Sequence, residues 1–387
     1  MSNSRTSNAA SKRKKLLFVC SEDWYFVSHR MALARAAQVR GWEIVVACRK
    51  NQAAEMLQTE GFKIIDLNIA RGGLSPVASL KTVCHLISIF RREKPDVIVN
   101  VAIQCVILST LAGLLSGARR IVNMVTGLGF IFVSNGRKAK IIRSIVRGVL
   151  RFYARFKSVQ VIVQNGDDEE LMASLGFRRA NLSLIRGSGV DMQKYFPAGE
   201  VESREVAKQS KTAIFVARML WSKGLGELIA AIRLLAEKGV HYRFLLVGDV
   251  DLANPDSATV NDLETWQKEG LVEWLGKRSD IPALLQGADL AVLPSWREGL
   301  PKSLIEAAAC RLAMVATDVP GCREIVRHND TGLLVKLGDA QALADAIERL
   351  MENNEFRNNC ANNAYALVEK ELCDAVVVQK TLKVIEG

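Results

Sequence analysis

Short runs of valine, isoleucine and leucine alternate along the first half of the chain with longer stretches in which apolar residues recur at helical spacing. The apolar runs predict strands at 15–20, 43–48, 62–67, 96–101, 120–125 and 159–164. The stretches between them predict helices at 28–40, 76–93, 103–116 and 138–157. Because continuous apolar strands separated by helices are typical of a parallel sheet covered on both faces, this half predicts a doubly wound α/β domain.

The alternation stops at a polar stretch, 197–211, whose composition is typical of a linker, and then begins again. Further apolar runs predict strands at 212–217, 242–248, 272–276, 290–294 and 313–319. The chain therefore predicts two doubly wound parallel-sheet domains in tandem, over 15–190 and 191–370. Ligands of such sheets bind beyond the carboxyl ends of the strands, which places the expected site in the cleft between the domains.

The two ends of the chain differ from these domains in pattern. Residues 1–14 are polar and basic and are expected to form a disordered tail, without a signal peptide. The last segment, 371–387, predicts a helix that could pack back on the first domain. No run reaches about 18 uninterrupted apolar residues, so a transmembrane helix is not expected.

Composition and charge add a contrast between the two halves. Hydrophobic residues make up 49% and charged residues 24%, as in soluble globular proteins. The net charge of +11 divides unevenly: 29 Lys and Arg against 12 Asp and Glu up to residue 187, then 23 against 29. The basic half indicates an anionic partner, either nucleic acid or a membrane surface, unless it is only a solvated face. The eight cysteines form no CxxC pair, which favours free thiols in a reducing cytoplasm.

A helix start and two carboxylates are combined in the segment EGLPKSLIEA. Gly299 can adopt the backbone angles of a cap, and Pro301 suits the first helical position. The N–H groups of Lys302, Ser303 and Leu304 would then point out of the first turn, where the helix dipole also favours an anion. The segment predicts a phosphate site, although a well-capped helix without a ligand would have the same sequence.

Charged side chains of both signs surround this predicted phosphate site. Glu298 lies before the helix and Glu306 more than a turn into it, so the two can contact different parts of one ligand. Carboxylates accept hydrogen bonds from hydroxyls, and a ligand with hydroxyls on both sides of a phosphate is a sugar nucleotide. Arg218 and Lys223 follow the predicted strand 212–217 and suit a diphosphate, although a basic loop can be merely solvated.

Several motifs in the right order match one enzyme family. Besides the EX7E spacing of Glu298 and Glu306, the chain contains SEDWYFVSHR, NMVTGLGFIF, VIVQN, RGSGVD, LVGD, EWLGK and VATDVPGCREIV. In this combination it resembles the retaining GT-B glycosyltransferases of family 4 over nearly its whole length. It looks most like the branch that builds bacterial surface polysaccharides on a polyprenyl-diphosphate lipid at the inner face of the plasma membrane.

The resemblance implies roles for the matched positions of the second domain. Glu298 would hold hydroxyls of the donor sugar, expected to be UDP-linked, and Glu306 would hold the ribose. Arg218 and Lys223 would bind the diphosphate and stabilise the leaving group. The configuration at the sugar carbon would be retained, with no nucleophile assigned to the protein. Backbone N–H groups would complete the donor site within the segment Gly299, Leu300, Pro301, Lys302 and Ser303.

The same resemblance implies residues of the first domain in the cleft. His29, at the start of the first helix, would be catalytic, with a structural histidine as the alternative. Thr126, Gly127 and Gly129 match positions that face the acceptor, although the glycines suit a turn after a strand equally well. The aromatic stretch 23–26 replaces the Gly-Gly pair of many relatives, which leaves its contact with the donor phosphate open.

No cofactor or metal ion is expected, since the sugar nucleotide is a substrate. Asp249 and Asp251 form a DxD pattern, which binds a metal–nucleotide complex in glycosyltransferases of another fold. Here the pattern follows a buried strand of a two-domain chain, so metal ligation is not expected. The sequence also lacks an HExxH motif and paired cysteines.

Eight basic residues and no acidic one lie between residues 137 and 157. Arg143, Arg147 and Arg151 recur every four residues and form one stripe of the predicted helix, while apolar residues fill its other sides. Such a helix suits an anionic membrane surface and could also hold the diphosphate of the acceptor. We expect peripheral attachment to the inner face of the plasma membrane, with a core helix and a solvated stripe as the alternative.

Three other functions stay open from the sequence. A soluble sugar-nucleotide transferase with a small-molecule acceptor would share the donor site. A nucleic-acid-binding protein needs base-stacking aromatics among its cations, whereas the aromatic cluster at 24–26 has acidic neighbours, so no nucleic acid partner is expected. A dinucleotide-dependent oxidoreductase needs a GxGxxG loop after the first strand, where this chain has SEDWYFVS.

Overall fold

Two parallel sheets with helices on both faces make up the fold. A computed structural model describes the chain over residues 13–67, 76–126, 137–199, 211–252 and 254–387. The predicted tail therefore lies outside the described residues up to residue 12, and the predicted linker does so over residues 200–210.

The first sheet is formed by the N-terminal half of the chain. Its strands are β1 (Lys15–Glu22), β2 (Glu43–Arg49), β3 (Lys63–Asp66), β4 (Val97–Val101), β5 (Ile121–Val125), β6 (Val159–Val163) and β7 (Leu182–Leu184). They pair in parallel in the order β3-β2-β1-β4-β5-β6-β7. The helices are α1 (Asp23–Val39), α2 (Ala54–Thr59), α3 (Pro76–Glu93), α4 (Ile103–Leu115), α5 (Arg137–Tyr153) and α6 (Gly166–Ser174). Alternate residues of β1 face opposite layers: Leu16 and Phe18 pack with α1, and Leu17 and Val19 with α3 and α4.

The second sheet follows the same plan. Its strands are β8 (Thr212–Val216), β9 (Arg243–Val247), β10 (Glu273–Trp274), β11 (Leu290–Leu293), β12 (Ala313–Thr317) and β13 (Gly332–Val335), in the order β10-β9-β8-β11-β12-β13. The helices are α7 (Leu225–Glu237), α8 (Val260–Lys268), α9 (Ile281–Gly287), α10 (Lys302–Ala309), α11 (Ala340–Glu352), α12 (Asn354–Leu367) and α13 (Asp374–Glu386). Single helical turns lie at Arg179–Asn181 and Trp221–Lys223, and a π-helical turn lies at Val368–Leu372.

The apolar runs located the sheets correctly, and the two-domain parallel α/β fold is confirmed. Strands β7 and β13, of three and four residues, were not predicted from the sequence. The predicted strand 272–276 is shorter than expected and pairs over two residues only.

The bounds of two helices differ from the sequence prediction. Helix α1 begins at Asp23 and not at residue 28, because Phe26 is buried against Phe18, with ring centroids 5.2 Å apart. The aromatic stretch is thus the first turn of the helix, and His29 lies in its second turn and not at its start. Helix α5 ends at Tyr153, so Arg155 lies beyond it.

The chain crosses between the domains twice, and the two crossings pair. The backbone N–H of Val190 donates to Leu372 O at 3.1 Å, and that of Asp374 donates to Val190 O at 2.9 Å. After the second crossing, α13 packs on the first sheet and buries Leu382 and Ile385 in the same core as α1. The last helix therefore packs against the first domain, although it follows the second domain in the chain.

Side chains also join the domains where β6 ends. Asn165 Nδ2 donates to Gly299 O at 2.8 Å, and Arg297 forms an ion pair with the buried Asp168 at 3.0 Å. These contacts place the loop that contains Gly299 directly against the first domain. Burial raises the pKa of Asp168, and the guanidinium of Arg297 acts in the opposite direction.

Gly224 offers a test of this packing beside the cleft. Its φ is +82°, and a Cβ there would lie 2.0 Å from Pro294 O, so Gly224→Ala combines backbone strain with a clash against main chain. We expect a loss of about 2 kcal/mol or more in the free energy of unfolding, measured by urea denaturation. The matched control is Gly226→Ala, whose Cβ would only touch the Trp221 ring at 4.0 Å. An Ala variant at 224 as stable as that control would contradict this assignment.

Candidate functional site

A cleft of about 730 Å³ lies between the carboxyl ends of the two sheets. It brings together eleven of the residues that the sequence singled out: His29, Thr126, Arg218, Lys223, Glu298, Gly299, Leu300, Pro301, Lys302, Ser303 and Glu306. Gly127 and Gly129 lie outside the described residues. The three arginines of α5 do not line this cleft among the residues described.

The segment EGLPKSLIEA starts a helix at the cleft, one residue later than predicted. Pro301 is the N-cap, with φ −73° and ψ 109°, and α10 begins at Lys302. The N–H of Leu304 donates back to Pro301 O at 3.2 Å, so it does not point at a ligand as predicted. Within the described part of the chain, the N–H groups of Lys302 and Ser303 have no backbone acceptor. Of the three N–H groups that the sequence predicted for an anion at this terminus, two remain available.

Lys223 and Glu298 contact each other in the cleft. Lys223 Nζ donates to Glu298 Oε1, and Ser295 Oγ donates to the same oxygen at 2.8 Å. Both charged side chains are largely shielded, with 22% and 11% of their surface exposed. Lys223 comes from the turn after β8 and Glu298 from the loop after β11, and these strands are neighbours in the sheet. Among the described residues, Oε2 of Glu298 has no hydrogen-bond partner.

Arg218 is held at the rim of the cleft by the DxD pattern. Its Nη1 donates to Asp251 Oδ2 at 2.8 Å, and more than half of the arginine side chain is exposed. Asp251 is thus the ion-pair partner of Arg218, the residue that is expected to bind the diphosphate. The described residues contain no group of three or more His, Cys, Asp or Glu side chains arranged to hold a metal ion.

Glu306 is the buried carboxylate of the site. Its side chain and that of Tyr195 line the same pocket, and its Oε1 lies 3.6 Å from Lys302 Nζ. Burial raises the pKa of Glu306, which the charge of Lys302 opposes. The sequence did not single out Tyr195, although it lies in the YFP segment after the crossing between the domains.

Lys302 links the two sides of the cleft. Its Nζ donates to the backbone oxygen of Ser28 at 2.5 Å, across the domain boundary. The sequence placed Lys302 in the phosphate site only through its backbone. Its side chain is instead a bridge from the start of α10 to α1.

His29 is a neutral side chain in the cleft. Its ring stacks on Tyr25, with centroids 4.2 Å apart, and its Nδ1 lies 3.2 Å from Tyr25 O. Burial, followed by the charges of Lys302 and Arg30, lowers the pKa of His29 to about 3. Because a carbonyl only accepts, Nδ1 carries the proton, which leaves Nε2 as a hydrogen-bond acceptor.

Two further cations at the cleft were missed by sequence reasoning. Lys277 and Arg278 line it near α9, and Arg278 forms an ion pair with Asp280 at 2.6 Å. Lys277 belongs to EWLGK, one of the motifs that match the family. That match could have identified Lys277 as a residue of the cleft.

Helix α5 divides into a packed face and an exposed face. Val146, Leu150 and Tyr153 are buried against the sheet. Arg147 and Arg151 are exposed, and Arg143 is half-buried. Ile141 and Ile145 are 63% and 59% exposed, so the outer face is apolar as well as basic. None of the helices within the described residues combines the length and apolar content that crossing a bilayer requires.

Comparison with known proteins gives consistent matches over most of the chain. Residues 200–367 match the family model of glycosyl transferases group 1, and residues 15–165 match that of glycosyl transferase 4-like proteins. An N,N'-diacetylbacillosaminyl-diphospho-undecaprenol alpha-1,3-N-acetylgalactosaminyltransferase of Campylobacter jejuni is 30% identical over 364 residues, 92% of this chain and 94% of that protein. A UDP-Gal:alpha-D-GlcNAc-diphosphoundecaprenol alpha-1,3-galactosyltransferase of Escherichia coli is 26% identical, over 77% and 78% of the two chains.

A solved structure shares the arrangement of both domains. The structure of Anabaena HepE in complex with UDP-glucose superimposes with a TM-score of 0.77 at 19% identity, covering 96% of this chain and 99% of that one. The likeness confirms the two-domain GT-B fold.

The low pKa of His29 predicts a pH dependence of stability. In the unfolded chain this histidine binds a proton below about pH 6.5, whereas in the folded chain it does so only below about pH 3. His29 therefore lowers the free energy of unfolding as the pH falls between these values. On acidification from about pH 7 to about pH 5, the Tm of His29→Gln should fall less than that of the wild type. Exposed His241 provides the control, His241→Gln, and equal falls for all three proteins would contradict the assignment.

Proposed function

The chain belongs to the group 1 glycosyltransferases, and from this premise we propose that it transfers a hexosyl or N-acetylhexosaminyl residue from a UDP-sugar to a glycan linked to polyprenyl diphosphate. The product would contribute to a bacterial surface polysaccharide. The observation that carries the proposal is the pair of Lys223 and Glu298 beside the start of α10, in a cleft that also contains Glu306.

The donor is proposed to lie along the second domain. The two N–H groups at the start of α10 and the cations Lys223 and Arg218 would meet the charge of the diphosphate. Glu306 would accept hydrogen bonds from the ribose hydroxyls, and the free oxygen of Glu298 from the hydroxyls of the sugar. Since these cations can balance the diphosphate, we expect UDP to bind without a metal ion. A structural neighbour solved with UDP-glucose supports the choice of nucleotide.

The transfer step is proposed to retain the configuration of the donor carbon. The acceptor hydroxyl oxygen forms a bond to that carbon, while the bond to the β-phosphate of UDP breaks and its electron pair leaves with the phosphate. The departing phosphate takes the proton of the acceptor hydroxyl. Lys223 and Arg218 would stabilise the charge that develops on it.

His29 fits this step as a hydrogen-bond acceptor. A neutral ring whose Nδ1 is held by Tyr25 O presents Nε2 to a hydroxyl without donating a proton. With a pKa of about 3, the ring is not a general acid at neutral pH. We therefore assign it to orienting a sugar hydroxyl.

The acceptor is proposed to be lipid-linked. The names of both enzyme relatives include a diphosphoundecaprenol acceptor, and this chain covers 94% of the Campylobacter protein. The exposed face of α5, with Ile141, Ile145, Arg147 and Arg151, supports attachment at the inner surface of the plasma membrane, where such an acceptor would be reached. We therefore expect a cytoplasmic protein that binds membranes peripherally.

Substitution of Glu298 should mainly slow catalysis, whereas substitution of Glu306 should mainly weaken the binding of UDP. Glu298→Gln removes the charge that faces the donor sugar, so kcat should fall by about 100-fold or more while UDP still binds. Glu306→Gln weakens the acceptor of the ribose hydroxyls, so the Kd for UDP should rise by about tenfold. Transfer rates from a radiolabelled UDP-sugar and calorimetry with UDP measure the two effects.

Glu273→Gln is the matched control, since it makes the same change in an exposed ion pair with Arg243. It should leave both measurements unchanged. A Glu298→Gln protein that kept full transfer activity would overturn the assigned site.

Membrane attachment through α5 can be tested by flotation with vesicles of phosphatidylglycerol and phosphatidylethanolamine. Arg143→Glu, Arg147→Glu and Arg151→Glu together should abolish flotation, because they reverse the charge of the helix toward anionic headgroups. The control makes an equal charge change on the second domain, with Arg233→Glu, Lys238→Glu and Arg243→Glu. Equal flotation of both triple variants would rule out α5 as the attachment site.

A soluble transferase with a small-molecule acceptor is the second candidate. One similar protein is an N-acetyl-alpha-D-glucosaminyl L-malate synthase of Bacillus anthracis, 27% identical over 49% of this chain. The two functions are distinguished by mass spectrometry of the products that a panel of UDP-sugars gives with each class of acceptor. Polyprenyl-diphosphate-linked sugars should be extended, whereas free small acceptors should not.

A further inference from the structure

Arg30 is a buried cation without an anion among the described residues. It lies on α1, next to His29, and only 5% of its surface is exposed. Its Nε has no hydrogen-bond partner within the described part of the chain. The groups that act on its charge are Tyr25 and Cys20, with no carboxylate among them. Burial lowers the pKa of Arg30, but an arginine stays charged at neutral pH.

Such a charge is costly unless something balances it. A buried cation loses its hydration, and unpaired buried charges are rare for this reason. Arg357 provides a comparison within the same chain: it is 9% exposed and donates to two backbone oxygens, at 3.2 and 3.1 Å. Because Arg357 has partners and Arg30 has none among the described residues, Arg30 is not simply a packed core arginine.

A small cavity adjoins Arg30. Its volume is about 10 Å³, about the room of one oxygen atom. Thr126, Gln164 and Gly187 also line it, and Thr126 and Gln164 line the main cleft as well. The cavity therefore lies beneath the part of the cleft that the first domain contributes. An oxygen of a ligand in the cleft could reach it between these two side chains.

We propose that the counter-ion of Arg30 is a phosphate oxygen of a substrate, which enters this cavity from the cleft. The inference rests on the proposed function, because both proposed substrates contain a diphosphate. Lys223, Arg218 and α10 approach the donor from the second domain, whereas Arg30 approaches from the first. The phosphate could belong to the donor or to the acceptor, and the two sources give different results below.

The test replaces Arg30 by methionine, whose unbranched side chain is about as long as the stem of arginine and has no charge. Without a ligand, Arg30→Met should melt at the wild-type temperature or above it, because an unbalanced buried charge is removed. With a phosphate source, it should bind at least about tenfold more weakly. Arg30→Lys keeps the charge and should recover part of the affinity. Arg233→Met makes the same change in an exposed ion pair and should leave binding unchanged.

Three ligands identify the source of the phosphate: UDP, a polyprenyl-diphosphate-linked sugar, and the same sugar as an alkyl glycoside. Weaker binding of UDP by Arg30→Met assigns the oxygen to the donor. Weaker binding of the diphosphate-linked sugar, with UDP and the glycoside unaffected, assigns it to the acceptor. Calorimetry for UDP and KM values for the two acceptors make these measurements.

Two further outcomes separate the inference from the proposed function. If the wild type binds neither UDP nor the diphosphate-linked sugar, the proposed function fails and this inference fails with it. If the wild type binds them and Arg30→Met binds them equally well, only the inference about Arg30 is overturned. A ligand-free Arg30→Met protein that melts well below the wild type, or does not fold, assigns Arg30 a structural role and also overturns the inference.

Discussion

The backbone pairing of Val190 with Cys373 fixes where the chain crosses between its domains, and the site depends on that constraint. Parallel strands bring the loops that follow them to one edge of each sheet. Each edge alone presents half of the site, with His29 on the first and the pair of Lys223 and Glu298 on the second. Because the crossings lie side by side and α13 returns to the first domain, these two edges face each other across one cleft.

Two cations that the second domain contributes to the cleft already have anionic partners. Lys223 contacts Glu298, and Arg218 contacts Asp251 at 2.8 Å. A diphosphate would therefore have to compete with these carboxylates for the two cations. Glu298 would then be released toward the hydroxyls of the sugar. Arg30 differs from these residues, because no described carboxylate balances it.

Net charge and site chemistry are separate properties of this chain. The basic excess of the first half includes the outer face of α5, which does not line the cleft among the residues described. The acidic second half pairs many of its own cations, as in the ion pairs of Lys238 with Asp345 and of Arg243 with Glu273. Charge at the surface bears on encounter with membranes and lipid-linked substrates. Binding in the cleft depends instead on a few shielded side chains.

The sequence by itself determined most of the order of strands and helices, with β7 and β13 missed, because apolar periodicity is a local property of the chain. It also placed Glu298, Glu306, Arg218 and Lys223 beyond strand ends, where parallel sheets put their ligands. Only the tertiary structure decided that Lys223 contacts Glu298, 75 positions away in the chain, and that Arg30 is buried. The neutral state of His29 was decided in the same way, since burial and Lys302 of the other domain set its pKa. Such properties arise from packing between distant segments, and no local pattern of residues encodes them.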